Sequence, residues 1–199
     1  MDDILWDEKL NIRTAGREAG HSDEHHFPYE ATPYDVLKRL VESGFIRSEN
    51  RVIDYGCGKG RVSFFLNHEL GCRVTGVEYN EPLYRLAQEN LDRAKSAGVE
   101  FVCANAEDFP VGEADRFYFF NPFSEEILNT VMGNIIASGY ECPRRMLLFF
   151  YYPSDEYLMY LLSRDELLFL DEIPCQDLFP GFDVRERILI FELDMTLWG

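Results

Sequence analysis

A short apolar run, Arg51-Val52-Ile53-Asp54, breaks into a turn in which every second residue is glycine: Tyr55-Gly56-Cys57-Gly58-Lys59-Gly60. The next segment, Arg61 to Leu70, reads as a helix that stops at Gly71. A strand that feeds a helix through such a turn leaves few folds open. Glycine lets the backbone bend tightly and lets a ligand approach where a Cβ would collide, and three glycines exceed what a bare turn requires.

The same alternation continues along the chain. Strands are expected at 51–54, 73–78, 100–104, 116–120 and 146–151, separated by amphipathic helices. Asn80 is expected to cap a helix running from Glu81 to about Ser96 and closed by Gly98, and Ser124 to cap one with Leu128, Val131, Met132, Ile135 and Ile136 on one face. Thr32 is read as the cap of a helix that starts at Pro33. A helix over 154–164 precedes two last strands, 167–173 and 187–193, joined through Phe179-Pro180-Gly181-Phe182 as an antiparallel hairpin. The fold class is therefore α/β: a Rossmann-like, doubly wound, seven-stranded sheet, mostly parallel with an antiparallel C-terminal hairpin.

Two units are expected. Residues 1–31 read as a polar arm of weak structure and a candidate lid over the site, and residues 32–199 as the folded domain. With 36 acidic against 19 basic side chains the net charge is −17, and the last 49 residues carry 11 acids and three bases. Gripping nucleic acid in bulk needs a basic face, so such a partner is disfavoured. No apolar run approaches the roughly 20 residues that span a bilayer, the N-terminus lacks the pattern of a secretory signal, and five cysteines show no paired spacing. A cytoplasmic protein with reduced thiols and no membrane association is the expectation. His21, His25 and His26 read as a solvated arm, so no metal site is assigned.

In an open α/β sheet, ligands bind beyond the strand ends near the point where strand order reverses. A dinucleotide fingerprint would place its third glycine at position 61, where this chain has arginine. The pattern D-x-G-x-G-x-G, from Asp54 to Gly60, instead resembles motif I of the class I S-adenosylmethionine-dependent methyltransferases. Glu78, in Gly76-Val77-Glu78-Tyr79-Asn80, holds the place of the acid that ends their second strand and binds the ribose hydroxyls. Asn105-Ala106-Glu107 aligns with their adenine-framing loop, with Asn105 where many members carry Asp. The resemblance implies S-adenosyl-L-methionine as cofactor, held by Asp54, Gly56, Cys57, Gly58, Gly60, Glu78, Tyr79, Asn105, Ala106 and Glu107. Within that set Asp54 would face the cofactor's amino acid portion and Cys57 would pack as a small side chain.

Asn121-Pro122-Phe123 resembles a shortened form of the (D/N)-P-P-(Y/F) motif of enzymes that methylate amino or amide nitrogens, with one proline in place of two. It implies that Asn121, Pro122 and Phe123 form the catalytic, acceptor-orienting edge. Tyr29-Glu30-Ala31-Thr32-Pro33-Tyr34 resembles the P-T-P segment of small protein-lysine methyltransferases, with Ala31 in place of the first proline, and makes Tyr29 and Tyr34 candidate lid or acceptor-channel residues. Tyr151 and Tyr152 are candidates to reach the same pocket. The implied activity is N-methylation of an amine or amide on a protein or small molecule. The alternatives weighed against it are an NAD(P)- or flavin-dependent oxidoreductase, which Arg61 and Asp54 oppose, and a noncatalytic S-adenosylmethionine-binding module.

Overall fold

The computed structural model describes residues 3–16 and 30–194. After α1 (Asp3–Leu10) and α2 (Tyr34–Glu42), strands and helices alternate: β1 (Arg51–Tyr55), α3 (Arg61–Leu70), β2 (Arg73–Glu78), α4 (Glu81–Ala94), β3 (Val99–Cys103), β4 (Arg116–Phe119), α5 (Glu125–Glu141), β5 (Leu147–Tyr151), α6 (Asp155–Leu162), β6 (Leu167–Pro174) and β7 (Arg187–Leu193). The seven strands form one sheet in the order β3-β2-β1-β4-β5-β7-β6. The first five are parallel, and β7 is antiparallel to both β5 and β6.

This is the α/β architecture expected, with one addition. The last strand enters between β5 and β6, so β6 is the sheet edge. The link from β6 to β7 is a long excursion containing a single 3-10 turn at Gln176–Leu178, not a tight hairpin loop.

Both faces of the sheet are covered, which is why the central strands read as unbroken apolar runs. On β5, Leu147, Phe149 and Tyr151 pack into one core, while Leu148 and Phe150 enter the other. The second core carries an aromatic stack across three strands: Tyr55 on Phe119 at 5.1 Å between centroids, and Phe119 on Phe150 at 4.6 Å. Such offset stacks add to the area that each ring buries.

The N-terminal segment departs from expectation. Residues 3–10 form α1, and Trp6, Leu10 and Ile12 are buried in the first core. The ring of Trp6 stacks on Tyr34 at 5.6 Å and meets Phe65 edge-on at 4.9 Å. Tyr34 is itself fully buried, with its hydroxyl donating to Asp7 at 2.6 Å, so it is a core residue and not part of a lid or channel. Tyr29 and the three histidines of the expected arm lie outside the described residues.

Helix ends differ in detail. Asn80 caps α4 through Leu83 N–H at 3.1 Å, as expected, but the helix closes at Lys95 in a left-handed conformation rather than at Gly98. Pro33 is itself extended, so α2 begins one residue later than read, and the Thr32 hydroxyl pairs instead with Tyr118 at 2.9 Å. Ser124 stands at the start of α5 without a capping bond, its hydroxyl buried and unpartnered.

Candidate active site

A cavity of about 370 Å³ opens beyond the C-terminal ends of β1 and β4, the point where strand order reverses. That volume lies within the usual range for small-molecule sites. Of the residues singled out from sequence, Asp54, Gly56, Cys57, Glu78, Tyr79, Asn105, Ala106, Glu107, Asn121, Pro122 and Phe123 line it. Gly58 and Gly60 do not reach the wall; they shape the loop behind it.

That loop is built from left-handed turns, with φ of +70° at Gly56, +54° at Gly58 and +88° at Gly60. Its first two amides, Gly56 and Cys57, both donate to the Val77 carbonyl, at 2.8 and 3.1 Å. Glu78, at the end of β2, then clasps it from the side. One carboxylate oxygen accepts Gly58 N–H and the other Asn80 N–H, each at 2.8 Å. The acid that faces the cavity is thus also the brace of the glycine turn. A Cβ at Gly56 would stand 2.3 Å from the Cβ of Pro122, so the glycine is what lets the β1 and β4 loops close on each other.

Asp54 lies beneath this loop, paired in register with Gly76 on β2 and Tyr118 on β4. Its carboxylate accepts the Ser63 hydroxyl at 2.8 Å. Burial, reinforced by the negative charge of Glu78, pushes its pKa up to about 7. Cys57 is buried and its thiol is pushed well above its ordinary range by burial, then by the charges of Asp54 and Glu78, which makes it a packing residue and not a nucleophile.

On the other wall Asn121 has φ +40°. Its side-chain nitrogen donates to the Tyr152 carbonyl, and its oxygen accepts Ser154 N–H at 3.2 Å. Phe123 is buried against Tyr55 and Phe119. Tyr151 and Tyr152 do not line the cavity, but both rings contact Phe120, which does. The amide nitrogen of Asn105 donates to Asp108 at 3.3 Å.

Other lining residues were not singled out from sequence as site residues, Glu30, Tyr118, Phe120 and Glu126 among them. Nothing local marks them, because the topology alone brings them to the strand ends. Arg61 lines the cavity too, and it did carry a signal: a cation in the first turn of a helix opposes the helix dipole and needs partners to hold it there. Among the described residues no group of three or more His, Cys, Asp or Glu is placed to hold a metal, and no helix is long and apolar enough to cross a membrane.

Residues 52–135 match the methyltransferase-domain family. A histone H3 lysine-79-specific N-methyltransferase of Dictyostelium discoideum is 38% identical over 71 residues, covering 36% of this chain and 4% of that protein. A protein-lysine N-methyltransferase of Saccharolobus islandicus is 30% identical over 91 residues, covering 45% of this chain and 56% of its own. The chain therefore aligns with little more than half of the one relative and a small part of the other. Among solved structures, an RNA methyltransferase from Salinibacter ruber in complex with S-adenosyl-L-homocysteine shares the fold at a TM-score of 0.55 and 16% identity, over 82% of this chain and 92% of that one.

Proposed function

We propose that this chain, which carries a class I methyltransferase domain, transfers a methyl group from S-adenosylmethionine to an amine nitrogen on a protein or small molecule. The observation that carries the reading is the charge of the cavity wall. Among the described residues Glu30, Glu78, Glu107 and Glu126 line it, with Asp54 half-ionised at neutral pH, against one basic residue, Arg61, whose guanidinium is buried and bonded to Asp3, Thr14 and the Thr32 carbonyl. Such a wall attracts a protonated amine and repels phosphate. It gives the diphosphate of a dinucleotide no partner, and it opposes a nucleic-acid acceptor. Both curated relatives are named as lysine N-methyltransferases, which supports the same choice.

The residues fit the cofactor. A carboxylate accepts two hydroxyl protons side by side, and Glu78 is fixed at the wall by two backbone bonds. Gly56, without a Cβ, lets the glycine turn close against Pro122 at the cavity wall. S-adenosylmethionine, when bound, supplies a methyl group activated by a sulfonium. The chain's own part is then positional: Asn121, Pro122 and Phe123 hold the acceptor edge, and holding reactants in line accounts for much of the rate in such a displacement. An acceptor that arrives protonated gives a proton to solvent to free its lone pair, the nitrogen–carbon bond forms as the carbon–sulfur bond breaks, and S-adenosylhomocysteine leaves. Glu30 lies on the cavity wall.

Calorimetry with S-adenosylmethionine, S-adenosylhomocysteine and NADH, on the native chain and Glu78→Ala, tests the cofactor. Transfer of labelled methyl to a lysine-rich peptide or to an RNA oligonucleotide tests the acceptor. The expected result is binding of the sulfonium pair that weakens in the variant, with label in the peptide. Binding of NADH alone, or label only in RNA, overturns the proposal.

A further inference from the structure

Arg61 is 3% exposed at the start of α3, directly after the glycine turn. Its Nε donates to the Thr14 hydroxyl at 2.7 Å, and one terminal nitrogen donates to Asp3 at 2.6 Å and to the Thr32 carbonyl at 3.3 Å. The guanidinium lies 4.5 Å above the centre of the Tyr34 ring. Buried Asp7 completes the cluster by accepting the Thr14 amide at 2.6 Å, the Thr14 hydroxyl at 2.7 Å and the Tyr34 hydroxyl at 2.6 Å. A buried cation with this many charge-assisted partners is geometrically fixed.

A second anchor stands on the other side of Gly60. Asn90, 1% exposed on α4, accepts Arg13 N–H at 2.9 Å and donates to the carbonyls of Arg13 at 3.2 Å and Lys59 at 3.0 Å. Lys59 Nζ donates to the Ala15 carbonyl at 3.3 Å. Residues 13–15 are thereby joined to the loop residues on both sides of Gly60, by backbone groups toward Lys59 and by the Thr14 hydroxyl toward Arg61. Glu78 braces the same loop from the opposite direction, at Gly58. A turn with three left-handed glycines has many conformations to lose, and these two braces between them remove that freedom.

We infer that residues 3–15 are a positioning element for the glycine turn, so that their docking through Arg61 and Asn90 and the binding of a ligand in the cavity stabilise each other. The inference rests on the cofactor reading above. Linkage makes the effect reciprocal: whatever docking contributes to ligand affinity, the ligand returns to docking.

The test uses the full chain and S-adenosylhomocysteine. Thr14→Val keeps the shape of the side chain and removes the hydroxyl that joins Asp7 to Arg61; Thr14→Ser restores it. The dissociation constant is expected to rise roughly fivefold or more in Thr14→Val, the lower end of usual coupling between sites, and to return in Thr14→Ser. In the native protein the ligand is expected to slow hydrogen exchange at the Thr14 and Ala15 amides. A role in stability alone would lower the melting temperature of Thr14→Val and leave its affinity unmoved. Native-like affinity in Thr14→Val therefore overturns the inference, while a native chain that does not bind S-adenosylhomocysteine overturns the cofactor reading first and the inference with it.

Discussion

The side-chain amide of Asn121 ties the end of β4 to the residue that follows β5, donating to the carbonyl of Tyr152 while accepting the amide of Ser154. Both Asn121 and Tyr152 are left-handed, at φ +40° and +50°. Asparagine tolerates that conformation better than most residues, and here its side chain also holds the neighbouring loop in place. Asn121→Ala is expected to lower turnover by on the order of 100-fold through misplacement of the acceptor edge, with cofactor affinity unchanged by calorimetry. Asn121→Gly accommodates the backbone without restoring the bridge and should be equally slow. Native turnover in either variant would refute the assignment.

Glu78→Gln replaces one carboxylate oxygen by a donor, which cannot accept from Gly58 or Asn80. One of the two backbone bonds is lost, and charged hydrogen bonds of this kind contribute about 1.5–3 kcal/mol. S-adenosylhomocysteine should bind on the order of tenfold more weakly or worse. Unchanged affinity in a titration would remove Glu78 from the cofactor site.

Gly56→Ala combines a left-handed backbone with a collision against Pro122. Strain and overpacking together should cost about 2–4 kcal/mol, a fall in melting temperature of roughly 5–15 °C for a chain of this size. A melt within error of the native protein would show that the two loops separate without penalty.

Asp54 makes stability depend on pH in the unusual direction. Its folded pKa of about 7 lies above the ordinary 3.8, so between these values the folded state binds more protons than the unfolded chain. Its contribution is fully present below about pH 3.8 and is lost as pH rises through about 7. Asp54→Asn, which cannot ionise, should flatten this part of the stability profile and melt higher than the native protein at pH 8. A parallel offset between the two profiles from pH 4 to pH 8 would contradict the account.

The strand and helix order was legible because short unbroken apolar runs alternate with amphipathic segments and turn residues separate them, and the glycine turn and Glu78 were legible because both are local in sequence. What escaped notice depends on partners far along the chain. The Thr32 hydroxyl looks like a cap until Tyr118, 86 residues away, is seen to take it. Residues 3–10 look polar because the face of α1 that is buried includes Asp7, and an aspartate reads as surface unless its partners Thr14, Tyr34 and Arg61 are known. The entry of β7 between β5 and β6 leaves only a faint trace: β6 carries Asp171, Glu172 and Pro174 and is largely exposed, as suits an edge, while Ile188 to Phe191 on β7 form an unbroken buried run.

That entry of β7 sets an order of assembly. Strands β1 to β3, with Glu78 and the glycine turn, leave the ribosome first. The edge of β5 stays bare until residues 187–193 arrive, more than a hundred residues after the turn. The acceptor wall, through Asn121 and Tyr152, hangs on β5. We expect the cofactor half to mature before the acceptor half, and hydrogen exchange on ribosome-stalled chains ending before residue 187 would refute this if the β5 amides were as protected as those of β1 and β2. A nascent chain would then hold a shaped cofactor turn while still unable to seat an acceptor, an interval in which its exposed β5 edge is the natural target for a chaperone.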